Sequence, residues 1–398
     1  MRFLHLFFLI VLISASAKGQ KLLSEYVTPV YNGPESTGLS IYNTNPESPD
    51  GRLLAFIKYK HIVQGGHAGP PTEAYLMIRE RATGKTRLLD TVWATNHNGA
   101  NAIWINDSLI ACQIGHVEDF EVFHAGTGAS VSGRIRGELG HKAVHNTIYF
   151  SRSNERMRDR HPDRLPFRAS EEGIWRYEVL TGKMEQVVPL SEIIQAFQQQ
   201  NPNINGAGAQ LLHVDPNATG ERILFDYRHF RQKTDKRRKQ LQGYVNADGT
   251  GLRWVPTRPM HVIWFDDTTM MGVDMEDPEK KIYRYDLYGQ QLELLAGKAC
   301  HLGISPDRKW IAGEFGFYRA EPDGYTRLYL YANGEPEPRG IVDQWTNEKI
   351  TWWWVAHVNP SFSADGQRLY FIRAVDGEEK FEAAVLDLTA AEIITKKK

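Results

Sequence analysis

Ile304-Ser305-Pro306-Asp307-Arg308-Lys309-Trp310-Ile311-Ala312 is the stretch that decides the fold. An apolar run enters a turn carrying Pro and Asp, and a second apolar run leaves it. The same arrangement recurs at Pro46-Glu47-Ser48-Pro49-Asp50-Gly51 before Leu53-Leu54-Ala55-Phe56. It recurs again at Pro360-Ser361-Phe362-Ser363-Ala364-Asp365-Gly366 before Leu369-Tyr370-Phe371-Ile372. In each, Asp, joined by Gly in two of the three, supplies the turn between antiparallel strands. Weaker copies are Trp104-Ile105-Asn106-Asp107, Val144-His145-Asn146, Asp215-Pro216-Asn217-Ala218-Thr219-Gly220 and Trp264-Phe265-Asp266-Asp267. The turns fall near positions 50, 107, 146, 217, 267, 307 and 365. Their mean step, about 52 residues, is that of propeller blades. Strands this closely spaced, with no alternating helices, argue against a βαβ fold. The pattern predicts an all-β, seven-bladed β-propeller, with a pair of β-sandwiches as the alternative. The segment Tyr26 to Tyr31 is expected to complete the last blade.

The chain has 398 residues, 47 Lys+Arg against 48 Asp+Glu, and 41% hydrophobic residues, values that exclude disorder, collagen, coiled coil and a multi-span membrane protein. A net charge of −1 also argues against nucleic acid as the main partner. Residues 1–20 open with Arg2, run apolar from Leu4 to Ile13 and end in Ser14-Ala15-Ser16-Ala17, the pattern of a secretory signal peptide. The expected product is a secreted or periplasmic protein, a monomer with no membrane span after cleavage, forming one propeller over residues 21–398. Losing Arg2 and Lys18 takes its charge to about −3. With only Cys112 and Cys300, it is not a disulfide scaffold.

Two stretches interrupt the repeat. Arg152 to Arg168 is rich in Arg and His, and Leu190 to Gln200 has helical spacing with Ser191 as its expected N-cap. Both fall in the third unit. The run Arg228 to Lys239 is a further basic insertion, and such runs are mostly solvated loops.

Thirteen of the 14 histidines lie beyond the leader, and about half of them track the repeat. His97, His141, His213, His261, His301 and His357 each stand shortly before a turn, at the start of a unit's first strand. In a propeller those strands line the central channel, so their entry residues converge on one mouth. Convergent neutral imidazoles suit a borderline metal such as zinc or manganese. His261, His301 and His357 fall in consecutive blades five, six and seven, and Cys300 offers a thiolate that favours zinc. Strand alternation predicts that Cys300 and His301 point oppositely, so that only one of them binds.

A second cluster is expected in blades two to four. Asn96-His97-Asn98 opens blade two and His116 ends its next strand. Blade four contributes His213, Tyr227 and Arg228. Two His, a Tyr and an Arg can hold a carboxylate and move a proton. Asn96, Asn98 and Arg231 are the substrate-binding candidates. There is no GxSxG elbow, phosphate-cradling loop or GxGxxG.

His261-Val-Ile-Trp-Phe-Asp-Asp, Cys300-His301-Leu-Gly-Ile-Ser-Pro-Asp and His357-Val-Asn-Pro-Ser-Phe-Ser-Ala-Asp-Gly resemble the last three blades of the oligogalacturonate lyases. Those are seven-bladed propellers that cleave uronic-acid glycosides by β-elimination. The paired histidines of blade two, with the Tyr and Arg of blade four, look more like the propeller ulvan lyases. That resemblance implies a secreted lyase of ulvan, an anionic sulfated algal polysaccharide. It makes His97 and His116 catalytic, Arg228 the group that neutralises the uronate, and Tyr227 or His213 the base or acid. It makes His261, Cys300, His301 and His357 the candidates for a structural zinc, with manganese or calcium as the other metals. The remaining alternatives are a lyase of oligogalacturonate or other uronic oligosaccharides, and a non-catalytic envelope propeller that binds without cleaving.

Overall fold

A computed structural model of the chain describes residues 20–61, 71–95, 99–114, 119–160, 163–204, 206–230, 239–256, 259–315, 325–345, 357–375 and 380–394. Its strands form seven sheets in ring order, antiparallel except for one added edge strand, the seven-bladed propeller that the repeat predicts. Blades three to six are continuous in sequence, each beginning with an inner strand: Glu138–Val144, Gln210–Pro216, Pro259–Trp264 and Cys300–Ile304.

All seven turns read from the sequence join the inner strand of a blade to its second strand. In the three strongest copies the chemistry is identical. Ser48, Ser305 and Ser363 each donate their hydroxyl to the Asp two residues on, at 2.6, 2.8 and 2.6 Å. Each serine oxygen then accepts the backbone N–H five residues ahead, at 3.0, 2.9 and 3.0 Å. A side chain that caps its own turn needs nothing from the rest of the fold, so the motif is readable locally.

The ring closes at the N-terminus. Val27–Pro29 pairs antiparallel with Phe381–Asp387 and becomes the outer strand of blade seven, as expected for the Tyr26 to Tyr31 segment. Lys21–Leu22 adds a fifth strand to blade six, parallel to Gly340–Trp345. A second tie is the buried carboxylate of Glu47 in blade one, which accepts hydrogen bonds from Arg368 (2.9 Å) and Tyr370 in blade seven. Apolar side chains fill the spaces between blades; one such cluster joins Phe56, Leu76 and Ile110 of blades one and two to Tyr370 and Phe381 of blade seven.

The blade-three insertions are more ordered than solvated loops. Helix Leu190–Gln200 buries Leu190, Ile193 and Phe197, and its N-cap position falls on Pro189 rather than Ser191. Arg156, on helix Asn154–Arg160, holds Glu138 through two 3.0 Å bonds. Arg164 grips the buried Asp119 at 2.9 and 2.6 Å. Among the described residues no helix is long and apolar enough to cross a membrane.

Candidate functional site

Five blades begin with the same backbone device. Asn101, His213, His261, His301 and Asn359 all sit at left-handed φ, between 45° and 53°. Asn and His tolerate this region better than most residues, yet it costs about 1–3 kcal/mol and persists only where the surroundings impose it. At His213, His261 and His301 it coincides with a β-bulge, seen as register shifts between Leu212 and Asp215, Met260 and Ile263, and Cys300 and Gly303. A bulge re-aims the side chains around it. Here it breaks the alternation that would send Cys300 and His301 to opposite faces. The expectation that only one of them could reach a metal is corrected: both converge with His261.

Cys300 Sγ lies 2.8 Å from His261 Nδ1, and the His261 and His301 ring centroids are 4.3 Å apart. His301 and His357 follow at 4.2 Å, nearly perpendicular. The donor atoms of His261, Cys300 and His301 all lie within 4.8 Å of one another, as do those of His301, Glu314 and His357. The four metal candidates read from the sequence thus form one continuous group with His301 at its centre. Glu314, on the second strand of blade six opposite Cys300, is the member that sequence reasoning missed, because no repeat marks it. His301, His357 and Glu314 are each at most 1% exposed. Burial would raise the Glu314 carboxyl, but the His301 charge and the hydrogen bonds from His301 and His357 outweigh it and hold the carboxyl at about 2. Burial, reinforced by Glu314, pushes the Cys300 thiol well above its ordinary value. Three imidazoles and a thiol at this spacing, with a carboxylate against two of the rings, fit a divalent metal; the thiol favours zinc and the imidazoles admit manganese.

A second imidazole pair faces this group across the channel. His213 Nδ1 and His141 Nε2 are 3.1 Å apart. Burial lowers the proton affinity of both, and His213 is lowered further by the charges of His141 and Arg228. Between the two groups stands Tyr42, also unannounced by the repeat. Its ring centroid lies 5.8, 6.4, 5.3 and 5.3 Å from those of His141, His213, His261 and His301, so one buried ring packs against four blades. His213, His261 and Arg228 are the half-buried members. Arg228 donates to Gln240 Oε1 at 3.1 Å and stands 3.9 Å from Asp226. Burial pushes the Asp226 carboxyl up to about 6 against the opposing pull of Arg228.

Tyr227 is corrected. On strand Arg222–His229 it alternates with Asp226 and Arg228 and therefore points the other way. It is 0% exposed, in the apolar core with Phe197 edge-on at 5.3 Å, and does not join Arg228 in the channel. His97, His116, Asn96, Asn98 and Arg231 lie outside the described residues, as does most of the leader, residues 1–19.

No protein-family model matches the chain, and no curated protein matches it. Solved structures do. An oligogalacturonate lyase in complex with manganese superposes with a TM-score of 0.59 at 15% identity, over 93% of this chain and 95% of that one. The oligogalacturonate lyase of Vibrio parahaemolyticus gives 0.58 at 13% identity, over 91% and 93%. What is shared is the fold. A prolyl endopeptidase structure matches at 0.50 and 13% identity, over 90% of this chain and 47% of that one. The same architecture therefore serves unlike chemistries, and function has to be argued from the site.

Proposed function

We propose that this chain is a metal-dependent lyase that cleaves uronic-acid-containing oligosaccharides by β-elimination. The observation that carries this is the half-buried pair Arg228 and His213, near a His/Cys donor group whose rings are backed by the buried Glu314 carboxylate. The likeness to an oligogalacturonate lyase in complex with manganese supports the oligogalacturonate class above ulvan.

Arg228 binds the substrate carboxylate as a planar fork. His213, kept neutral by burial and by the nearby positive charge, takes the C5 proton. The electrons of that C–H bond form the C4=C5 double bond, the C4–O4 bond breaks, and O4 leaves with a proton. His97 and His116, catalytic by the same reading and outside the described residues, are the candidates to give O4 its proton. His261, Cys300, His301 and His357 would hold the metal. When bound, a divalent cation supplies positive charge against the carboxylate and makes the C5 hydrogen more acidic. In this reading the protein is exported, and Tyr227 has no catalytic part.

The test incubates purified protein, with zinc or manganese, with oligogalacturonate, ulvan and glycosaminoglycan fragments, following the ultraviolet absorbance of unsaturated uronyl ends. Oligogalacturonate is expected to yield product, and Arg228→Ala to slow it by about 100- to 1,000-fold. Product from ulvan alone would move the substrate to that polysaccharide. No unsaturated product from any of them would leave a binding propeller without catalysis.

A further inference from the structure

We infer that Glu314 sets the tautomer and orientation of both metal-facing imidazoles, His301 and His357, acting as a positioning residue behind the metal and not as a ligand to it. The inference rests on the metal-binding part of the proposed function, but not on the substrate.

Three N–H groups converge on this one carboxylate. Oε1 accepts from His301 Nδ1 and, at 3.3 Å, from His357 Nδ1. Oε2 accepts the backbone N–H of Val358 at 2.7 Å. Each oxygen already accepts at least one N–H. With Nδ1 of each ring turned to Glu314, any ligation by His301 and His357 runs through Nε2. A metal-bound histidine that donates its other ring nitrogen to a carboxylate is the usual way a protein fixes the ring and strengthens it as a ligand. One carboxylate serves two rings here, and the rings belong to different blades. Glu314 comes from the second strand of blade six, His301 from its first, and His357 with Val358 from the start of blade seven. The residue therefore also sets the spacing of the two rings, 4.2 Å between centroids at 74°. All three side chains are at most 1% exposed, so water cannot stand in for the missing acceptor if the carboxylate is removed.

Two measurements test this, neither using substrate. In metal-free wild-type protein at mildly alkaline pH, nitrogen-15 NMR of labelled histidines should find two buried rings carrying their proton on Nδ1; His301→Ala and His357→Ala assign them. A proton on Nε2 in either ring overturns the inference, whatever becomes of any variant. Glu314→Gln keeps the shape but offers one acceptor oxygen to three donors. Its affinity for zinc and for manganese, by chelator competition, should fall by about 10- to 100-fold. Unchanged affinity overturns the inference. Complete loss of binding with the circular dichroism intact also overturns it, since that is the behaviour of a direct ligand. Lyase activity enters neither measurement, so failure of the substrate assignment would leave the result intact.

Discussion

Cys300 Sγ and His261 Nδ1 stand 2.8 Å apart, joining the first strands of neighbouring blades across 39 positions of sequence. This thiol distinguishes the donor group from an imidazole and carboxylate set. Cys300→Ser is expected to lower zinc affinity on the order of tenfold or more while leaving manganese affinity nearly unchanged, because a soft sulfur ligand matters to zinc and not to a hard cation. Chelator competition with each metal measures the two arms. Equal losses would mean that sulfur is not a ligand.

Two of the buried tyrosines, Tyr227 and Tyr42, divide structure from site. Tyr227→Ala should cost about 3–5 kcal/mol in urea unfolding, and Tyr227→Phe should leave turnover on uronic oligosaccharides essentially intact, since the ring sits between blades with Phe197 and Phe225. Tyr42→Ala should cost a comparable amount and also weaken metal binding, because the Tyr42 ring packs directly on His261 and His301. Metal affinity separates the two substitutions.

Acid should destabilise the protein through the His141–His213 pair. Burial holds both imidazoles below their ordinary value in the folded chain, whereas the unfolded chain protonates near pH 6.5. Their contribution is therefore complete above that pH and is lost as pH falls below it, by up to about 1.4 kcal/mol per pH unit for each imidazole. His213→Asn removes one of them and keeps a residue that tolerates the left-handed backbone, as Asn101 and Asn359 do in blades two and seven. The drop in urea midpoint between about pH 7 and pH 5 should be shallower in the variant than in wild type. A parallel drop would rule the pair out as its source.

The sequence alone determined the strand–turn–strand unit, its sevenfold repetition, the closing segment near Tyr26 and the blade-entry histidines. These depend on consecutive residues, such as Ser305 capping the turn that Asp307 makes, and on their spacing along the chain. Which way each side chain points was decided only in three dimensions. Alternation separates Cys300 from His301 on paper, but the bulge at His301 turns both to one side. The same alternation, unbroken around Tyr227, turns that residue away from Arg228 and into the core. Glu314 and Tyr42 carry no repeat signal because each meets partners on other blades, His357 and Val358 for Glu314 and four imidazoles for Tyr42. A ring of sheets brings such residues together through closure, which no local pattern records.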